Sequence, residues 1–350
     1  MKRFKIWIFS IVSLTFIWLI LAAALVVWVD PFFQYHAPLA DFPYLVDNQL
    51  TQNPGMAKHM EYDSVILGSS MTVNFNTNWF EELMGLKAVK LSYSGAYPKD
   101  QANIMDIIFD SGHEVKSVFL GVDVTTYTGG VEETKYPLPA YLYDDNYLND
   151  IQYVLNKDVL LNYVLRPLAD PDQTDLATVY QSWWTDEYYN IQWVMHNYEP
   201  PVKVEEETEP DAFLESTDQN LRVNLCPYIE QNPETTFYIF FPPYSILYWN
   251  DVGQENHMEA TMKEYAHIAG TLLSYDNVRV FYFPNREEIV TDLNNYADYT
   301  HYHARFNRLT ECFADGTCEV KNMEEMDRAL EETRDMIERF DFEELFSVEY

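Results

Sequence analysis

The most constraining feature of this sequence is an uncharged apolar run from Ile6 to Val29, preceded by basic residues at positions 2, 3 and 5. About 20 apolar residues cross the hydrocarbon core of a bilayer, so the run predicts a transmembrane helix. A cleaved signal peptide is the alternative, because Ala22-Ala23-Ala24 supplies small residues. The run continues past Ala24, beyond the usual apolar region of a signal peptide, which favours an uncleaved anchor.

The basic flank also predicts the topology. Such flanks stay in the cytoplasm, so residues 1–29 should form a cytoplasmic tip and an anchor, with an extracytoplasmic domain from Asp30 onward. We therefore expect a single-pass protein of the cell membrane. The chain has 22 Lys and Arg residues against 56 Asp and Glu residues, a formal net charge of −34. This charge repels nucleic-acid phosphates and anionic lipid surfaces, so we expect no nucleic acid as a partner and expect anionic lipid to be a poor partner for the folded part.

After the anchor, short apolar runs alternate with helical patterns, which is typical of βαβ units and a parallel sheet. The predicted strands are 65–67, 88–93, 118–123, 236–241 and 278–283. We predict an α/β domain with a five-stranded parallel sheet of the flavodoxin-like type and helices on both faces. It is expected to consist of residues 30–126 and 233–350, and an acidic amphipathic helix is expected over 319–344.

Residues 127–232 lack this alternation and are predicted to form a helical, aromatic-rich insertion. Helical patterns extend over 148–168 and 178–196. The tryptophans at 183, 184 and 193 either form the core of the insertion or line a groove for a sugar or polymer, and the sequence leaves both interpretations open.

Small or polar residues follow four of the predicted strands. Gly68-Ser69-Ser70 follows the first strand, Gly95 the second, and the block from Asp298 to His301 the fifth, while Asp123 ends the third. Each of these motifs alone is weak, and a serine-rich turn is common. The carboxyl ends of parallel strands lie along one edge of a sheet, so all four groups can face one crevice.

With these blocks the chain resembles the SGNH hydrolase superfamily, whose serine stands in a Gly-Asp-Ser block and whose aspartate and histidine share an Asp-x-x-His block. It looks most like the membrane-anchored branch of the DltD proteins of lipoteichoic acid D-alanylation. The similar features are the short amino-terminal anchor, Gly68-Ser69-Ser70 and the Asp-x-x-His-Tyr block from Asp298 to Tyr302. The resemblance covers roughly residues 30–340 apart from the insertion.

The resemblance implies that Ser70 is a nucleophile, His301 its base and Asp298 the group that orients the base. A serine hydroxyl must lose its proton as it attacks, and histidine is the side chain best matched to accept it near neutral pH. The backbone N–H groups of Ser70 and Gly95 would hold the oxyanion.

Two positions depart from the superfamily pattern. Asp123 stands where an asparagine usually donates to the oxyanion, and Ser69 replaces the aspartate of the first block. Both are candidates for contact with the substrate or the oxyanion side. An ionised Asp123 would repel the oxyanion, so this residue is protonated, points away or serves a hydroxyl of the acceptor.

Other chemistries have weaker support in the sequence. His301, His303 and Asp298 are a metal-site alternative, but alternate residues in one loop rarely complete a site, and we predict no metal. No Gly-x-Gly-x-x-Gly or phosphate loop occurs, so we predict no cofactor. Cys312 and Cys318 could form a disulfide outside the cytoplasm, and their spacing does not decide this.

Two functions are compatible with this pattern. In the first, the protein is an acyl esterase or acyltransferase that forms an acyl-Ser70 intermediate. The resemblance implies acetyl or D-alanyl groups, a cell-surface polysaccharide or teichoic acid as acceptor, and a membrane-bound O-acyltransferase as partner. In the second, the domain is a non-catalytic binding or scaffolding partner of such a machine.

Overall fold

The structure is a computed structural model and describes residues 2–171, 174–182 and 185–348. Trp183 and Trp184, which the sequence assigns to the core or groove of the insertion, lie outside the described residues. Within the described part, one mixed sheet is surrounded by helices, and a single long apolar helix stands at the amino terminus.

The sheet has six strands in the order β2-β1-β3-β4-β5-β6. They are β1 Ser64–Leu67, β2 Ala88–Lys90, β3 Ser117–Gly121, β4 Thr236–Phe241, β5 Val278–Tyr282 and β6 Glu319–Val320. The first five are parallel, as predicted, and β6 is antiparallel to β5. The chain enters at β1, forms β2 on one side and crosses back to β3 on the other. In sheets of this order, ligands bind beyond the carboxyl ends of the strands where the direction reverses.

The predicted count of five strands is wrong because of β6. The sequence pattern assigns residues 319–344 to one helix, but that helix begins at Met323, where the Asn322 side chain accepts a hydrogen bond from the Glu325 N–H. Glu319 instead pairs with Arg279 on β5, with Nη2 and Oε2 separated by 2.6 Å. A two-residue strand held by a long-range ion pair leaves no periodic signal in the sequence.

Five helices precede the predicted insertion. They are α1 Lys2–Val29, α2 Gln49–His59, α3 Thr77–Met84, α4 Pro98–Asp110 and α5 Val124–Tyr127. Within residues 127–232 lie α6 Ala140–Tyr143, α7 Ile151–Val154, a π-helix Val159–Leu165, α8 Arg166–Ala169, α9 Ile191–Asn197, α10 Leu214–Asn224 and α11 Cys226–Gln231. The remaining helices are α12 Ile246–Gln254, α13 Met258–Leu272, α14 Glu287–Val290, α15 Leu309–Asp315, α16 Met323–Arg339 and α17 Phe342–Ser347.

The long helices predicted over 148–168 and 178–196 are wrong in length, because the segment forms short pieces. At one break, the Asn156 side chain accepts a hydrogen bond from the Asp158 N–H at 2.9 Å. Such a local side-chain bond offers the backbone an alternative to the helix. The division of the chain into a domain and an insertion stays a prediction.

Helices cover both faces of the sheet. Phe313 on α15 packs against Tyr238 and Phe240 of β4, with ring centroids 6.2 and 5.4 Å apart. Tyr265 on α13 packs against Phe241 of the same strand at 5.1 Å. Successive side chains of a strand point to opposite faces, so α13 and α15 lie on opposite sides of the sheet.

Helix α1 contains the predicted apolar run, and residues Arg3–Val29 are long and apolar enough to cross a membrane. Its last turn packs into the domain, where Val26 and Val29 are fully buried. The Tyr44 hydroxyl donates to the Val29 carbonyl at 2.6 Å. Helix and domain are therefore joined by packing and hydrogen bonds as well as by the chain.

A buried aspartate completes this contact. The Asp30 carboxyl group accepts from the backbone N–H groups of residues 34, 35 and 36 at 2.9, 2.6 and 3.0 Å. The Tyr153 hydroxyl of α7 lies 2.8 Å from the same carboxyl group. We call Val29, Asp30 and their partners Tyr44 and Tyr153 the anchor junction.

Candidate active site

The turn after β1 presents Ser70 at the carboxyl edge of the sheet. Ser70 is the first residue of a 3₁₀ turn over Ser70–Thr72, and the Ser69 hydroxyl caps that turn by accepting from the Met71 N–H at 3.2 Å. The Thr72 methyl group packs between Gly68 and Gly121, where an added Cβ would lie 2.6 and 2.9 Å from it. Gly68 also has φ +138°, so glycine is required there on both grounds.

A buried lysine holds the chain that follows this turn. Lys90 of β2 is fully buried, and its ammonium group donates to the carbonyls of Val73 and Phe75 at 2.6 and 2.7 Å. Burial lowers the pKa of Lys90 to about 7, and the charge of Asp175 opposes this shift. The position of the serine turn is thus fixed from the neighbouring strand.

The loop that carries Asp298 and His301 is closed on itself and tied to the serine turn. Tyr296 and Tyr302 form an antiparallel bridge across the loop. The Tyr302 hydroxyl donates to the carbonyl of Met71 at 3.1 Å, and the Tyr296 hydroxyl donates to Pro243 at 2.7 Å. These bonds fix the loop relative to both β1 and β4.

The structure brings Ser70, His301 and Asp298 into one hydrogen-bonded chain. Ser70 Oγ lies 2.7 Å from His301 Nε2, and His301 Nδ1 lies 2.7 Å from Asp298 Oδ2. All three residues are partly exposed, with 18% of the His301 side chain accessible. This is the arrangement of a serine nucleophile, a base and the group that orients the base.

Asp298 is held in its ionised form. Burial raises its pKa, but the hydrogen bonds and charge of His301 and the backbone N–H groups of His301 and Thr300 outweigh burial and lower the pKa to about 2. Those N–H groups donate to Oδ1 at 2.8 and 2.9 Å. Oδ2 is left to His301 and fixes the orientation of the ring.

Asp123, two residues after the end of β3, lies in a different environment. Its side chain is buried, and Tyr244 donates a hydrogen bond to Oδ1. Burial raises the pKa of the Asp123 carboxyl group, while the hydroxyls of Ser69 and Tyr244 and the charge of His301 oppose this rise without overcoming it. Oδ2 is buried and has no hydrogen-bond partner among the described residues. The sequence left three interpretations of Asp123: it is protonated, points away from the oxyanion or serves a hydroxyl of the acceptor. The buried environment favours the protonated form.

The two predicted oxyanion donors lie on neighbouring turns. As the first residue of a helical turn, Ser70 has a backbone N–H without an intrahelical partner. Gly95, with φ +71°, lies in the turn after β2, and this turn is joined to the serine turn because the Tyr93 N–H donates to the Gly68 carbonyl at 2.9 Å. The oxyanion role of both groups stays a prediction.

Sequence reasoning missed Tyr244, and gave Tyr302 no role. Tyr244 follows β4, the one predicted strand to which the sequence pattern assigns no candidate residue, and Pro242-Pro243 marks the end of that strand. Tyr302 belongs to the Asp-x-x-His-Tyr block, but its contact with Met71 joins residues far apart in sequence. Both tyrosines could have been found in the sequence because each follows a predicted strand and so lies at the carboxyl edge of the sheet.

The metal-site alternative loses its central ligand. Both ring nitrogens of His301 are within 2.7 Å of Ser70 or Asp298, and the His303 ring packs against Tyr189 at a tilt of 47°, with centroids 4.1 Å apart. Among the described residues, no group of three or more His, Cys, Asp or Glu side chains is arranged to hold a metal ion.

Cys312 and Cys318 are both free thiols in this structure. They line a cavity of about 550 Å³ together with Arg286, Arg305 and Phe306. Arg286 Nη2 lies 2.6 Å from Cys318 Sγ. Ser70, His301 and Asp298 do not line this cavity, so it is separate from the serine site.

Comparisons with known proteins do not assign a family. No protein-family model matches the chain, and no curated protein is significantly similar to it. The functional assignment therefore depends on the geometry around Ser70 and on the sequence blocks described above.

Proposed function

We propose that this chain is a membrane-anchored serine acyl esterase or acyltransferase with an SGNH-type domain, and that Ser70, His301 and Asp298 are its catalytic residues. The observation that carries the proposal is the continuous hydrogen-bond chain from Ser70 Oγ through both ring nitrogens of His301 to Asp298. The site lies at the carboxyl edge of β1, beside the reversal of strand order, where α/β sheets bind ligands.

In the first half of the reaction, Ser70 Oγ attacks the carbonyl carbon of an ester while His301 Nε2 takes the hydroxyl proton. The tetrahedral intermediate collapses, its carbon–oxygen bond to the leaving alcohol breaks, and His301 returns the proton to that alcohol. In the second half, an acceptor hydroxyl or water gives its proton to His301 and attacks the acyl-Ser70 ester. Ser70 is then released with its proton restored.

Three donors support the oxyanion in this proposal: the backbone N–H groups of Ser70 and Gly95 and the protonated carboxyl group of Asp123. Tyr244 donates to Asp123 Oδ1, so the proton of the neutral acid would be on Oδ2, which is buried and has no hydrogen-bond partner among the described residues. A shift of this side chain on substrate binding would let Oδ2 donate to the oxyanion. A neutral acid can replace the asparagine that the resemblance leads one to expect, since both are uncharged donors. A carboxylic acid kept neutral by burial is an established oxyanion donor in enzymes.

The acyl group, the acceptor and the location follow from the resemblance and from α1. We propose acetyl or D-alanyl transfer to or from a cell-surface polysaccharide or teichoic acid, outside the membrane, with a membrane-bound O-acyltransferase as the supplier. The basic residues in the first turn of α1, at positions 2, 3 and 5, favour a cytoplasmic amino terminus.

A serine-directed fluorophosphonate tests the proposal directly. Full-length protein in detergent should be labelled at Ser70, as located by peptide mass spectrometry, and should hydrolyse p-nitrophenyl acetate. The Ser70→Ala and His301→Ala variants should lose both properties while keeping the thermal unfolding midpoint of the parent. Ser274→Ala, which removes an exposed hydroxyl at the end of α13, is the matched control. Undiminished labelling in Ser70→Ala would refute the assignment.

The second candidate is a non-catalytic scaffold of a membrane-bound O-acyltransferase, and the aspartate at position 123 is the observation that favours it. An ionised carboxylate at this position would oppose catalysis. A folded wild-type protein that neither reacts with the fluorophosphonate nor hydrolyses the ester would support the scaffold and exclude the enzyme.

A further inference from the structure

The segment 147–169 exposes many apolar side chains, although it belongs to a strongly acidic protein. We call the following residues the leucine surface: Leu148, Ile151, Leu155, Leu161, Leu165 and Leu168, with exposed fractions between 41% and 91%. The last three follow one another at helical spacing along the π-helix and α8. Exposed apolar surfaces of this kind mark sites of interaction with a protein or a membrane.

The elements that carry this surface pack directly on the end of the anchor. Helix α7 and the π-helix both contact α1. Phe32, just after α1, stacks on Tyr153 of α7 with ring centroids 5.2 Å apart and meets Tyr163 of the π-helix edge-on at 5.0 Å. The leucine surface is therefore next to the carboxyl end of α1, where the apolar run ends.

The length of α1 indicates at what depth in a bilayer the contact between α1 and the domain would lie. About 20 residues cross the hydrocarbon core, so a span that begins at Ile6 ends close to Leu25. The residues of α1 that the domain buries, Val26 and Val29, come directly after that point. Trp28 is exposed at the same level, and tryptophan is enriched at membrane interfaces.

The local charge also suits a lipid surface. Asp150 is buried and accepts from the Tyr35 hydroxyl at 2.9 Å. The exposed charges of the segment are Lys157, Asp158 and Arg166, and Lys157 pairs with Asp158 at 2.7 Å. These three leave one net positive charge in a chain whose formal net charge is −34. Exposed Asp145 and Asp170 lie directly outside the segment, so the segment itself adds no negative charge to acidic surroundings, and a zwitterionic lipid is the surface that it suits.

We propose that the leucine surface lies in the boundary between headgroups and acyl chains of the leaflet that faces the domain. The helices that carry this surface would then bind at the membrane interface and keep the domain in contact with the lipid next to α1. The inference rests on the part of the proposed function that places α1 across a membrane, and it does not depend on catalysis by Ser70.

A photoreactive lipid tests this inference on the full-length protein. The chain is reconstituted into phosphatidylcholine liposomes that contain a phosphatidylcholine with a diazirine in its acyl chain, and adducts are located by peptide mass spectrometry after illumination. We expect adducts on both α1 and residues 147–169. In a Leu161→Asn, Leu165→Asn, Leu168→Asn variant, the yield on 147–169 should fall at least about fivefold, because interfacial binding scales with buried apolar area.

Adducts on α1 provide the internal reference, and their yield should not change in the triple variant. Val202→Asn, which replaces a residue that is 88% exposed between α9 and α10, is the control for a polar change at an exposed apolar position. Adducts confined to α1, or absent from the whole chain, would overturn the inference. It would also be overturned by a yield on 147–169 that falls as the protein-to-lipid ratio rises, since a second copy of the chain would then cover the surface. Ester hydrolysis by Ser70 is measured separately, so failure of either proposal is distinguishable.

Discussion

Asp298 and Asp123 occupy the same edge of the sheet but lie in opposite environments. Asp298 accepts from His301 Nδ1 and from two backbone N–H groups, and its pKa is lowered to about 2. Asp123 has one strong donor, the Tyr244 hydroxyl, and burial raises its pKa. The Asp123 side chain is buried whereas 34% of the Asp298 side chain is accessible, so the difference comes from burial as well as from the number of hydrogen-bond donors. The same residue type can therefore serve as an anion and as a neutral acid within one site.

The largest expected effect comes from Asp298→Asn. An amide at this position cannot accept in the same way from His301 Nδ1–H, so the ring loses its orientation and its stabilised positive form. We expect kcat for p-nitrophenyl acetate to fall about 10⁴-fold, as in other Ser-His-Asp sites. The thermal unfolding midpoint is measured in parallel to show that the variant folds. A loss of less than about tenfold would contradict the assignment of Asp298, because an orienting aspartate contributes far more than that.

The substitutions Asp123→Asn and Asp123→Ala are expected to change kcat less than Asp298→Asn does. They distinguish a neutral Asp123 from an ionised one. Alanine removes the proposed oxyanion donor, and kcat should fall about 10²–10³-fold, as for other oxyanion donors. Asparagine keeps a neutral donor, so its kcat should stay within about threefold of wild type, unlike that of Asp298→Asn. Rate measurements on the three variants at one pH are sufficient.

The opposite result would identify an ionised Asp123. Replacing a repelling carboxylate with asparagine should raise kcat, and alanine should then be harmless or favourable. The raised pKa also gives a pH test: wild-type activity should decline on the alkaline side as Asp123 loses its proton, whereas Asp123→Asn should lack that decline.

The smallest effect concerns the buried carboxyl group of Glu264 on α13, which is expected to affect stability only. Glu264 accepts from the Thr217 hydroxyl at 2.8 Å, and burial raises its pKa from 4.5 to about 8. Between these values the folded state holds a proton that the unfolded state has lost, so its contribution to stability falls as the pH rises through this window. One such group contributes a slope of at most about 1.4 kcal/mol per pH unit.

Glu264→Gln should remove this slope. Thermal unfolding of the full-length protein between pH 5 and pH 8 measures this slope, with Glu206→Gln, at an exposed position between α9 and α10, as the control. An unchanged slope in Glu264→Gln would mean that Glu264 is ionised within the folded protein.

The parts of the fold that the sequence predicts are those encoded by local patterns. The five parallel strands, the apolar helix at the amino terminus and the helix that begins at Pro98 are confirmed, because each has a strong periodicity or a clear boundary signal. The blocks at 68–70 and 298–301 predicted which residues could meet, since parallel strands bring their carboxyl ends to one edge.

The remainder depends on contacts between distant residues. The two-residue strand β6 is held by the pair Arg279–Glu319, and the serine turn is fixed by Lys90. The protonation preference of Asp123 depends on its burial and on Tyr244, which lies on a different strand end. No window of sequence contains both partners of such contacts, so pattern reasoning could name the candidates but not their chemical state.

The anchor junction has a consequence for how such a domain would meet its partners. Asp30 is held by three backbone N–H groups and Tyr153, and Val29 is held by Tyr44, so helix and domain are joined without a flexible tether. In a membrane, Ser70 would keep a constant height above the lipid, and partners would be found by lateral diffusion in two dimensions. A long flexible linker inserted after Val29 would let Ser70 occupy a range of heights above the lipid. The effective concentration of Ser70 at any one height would then be lower.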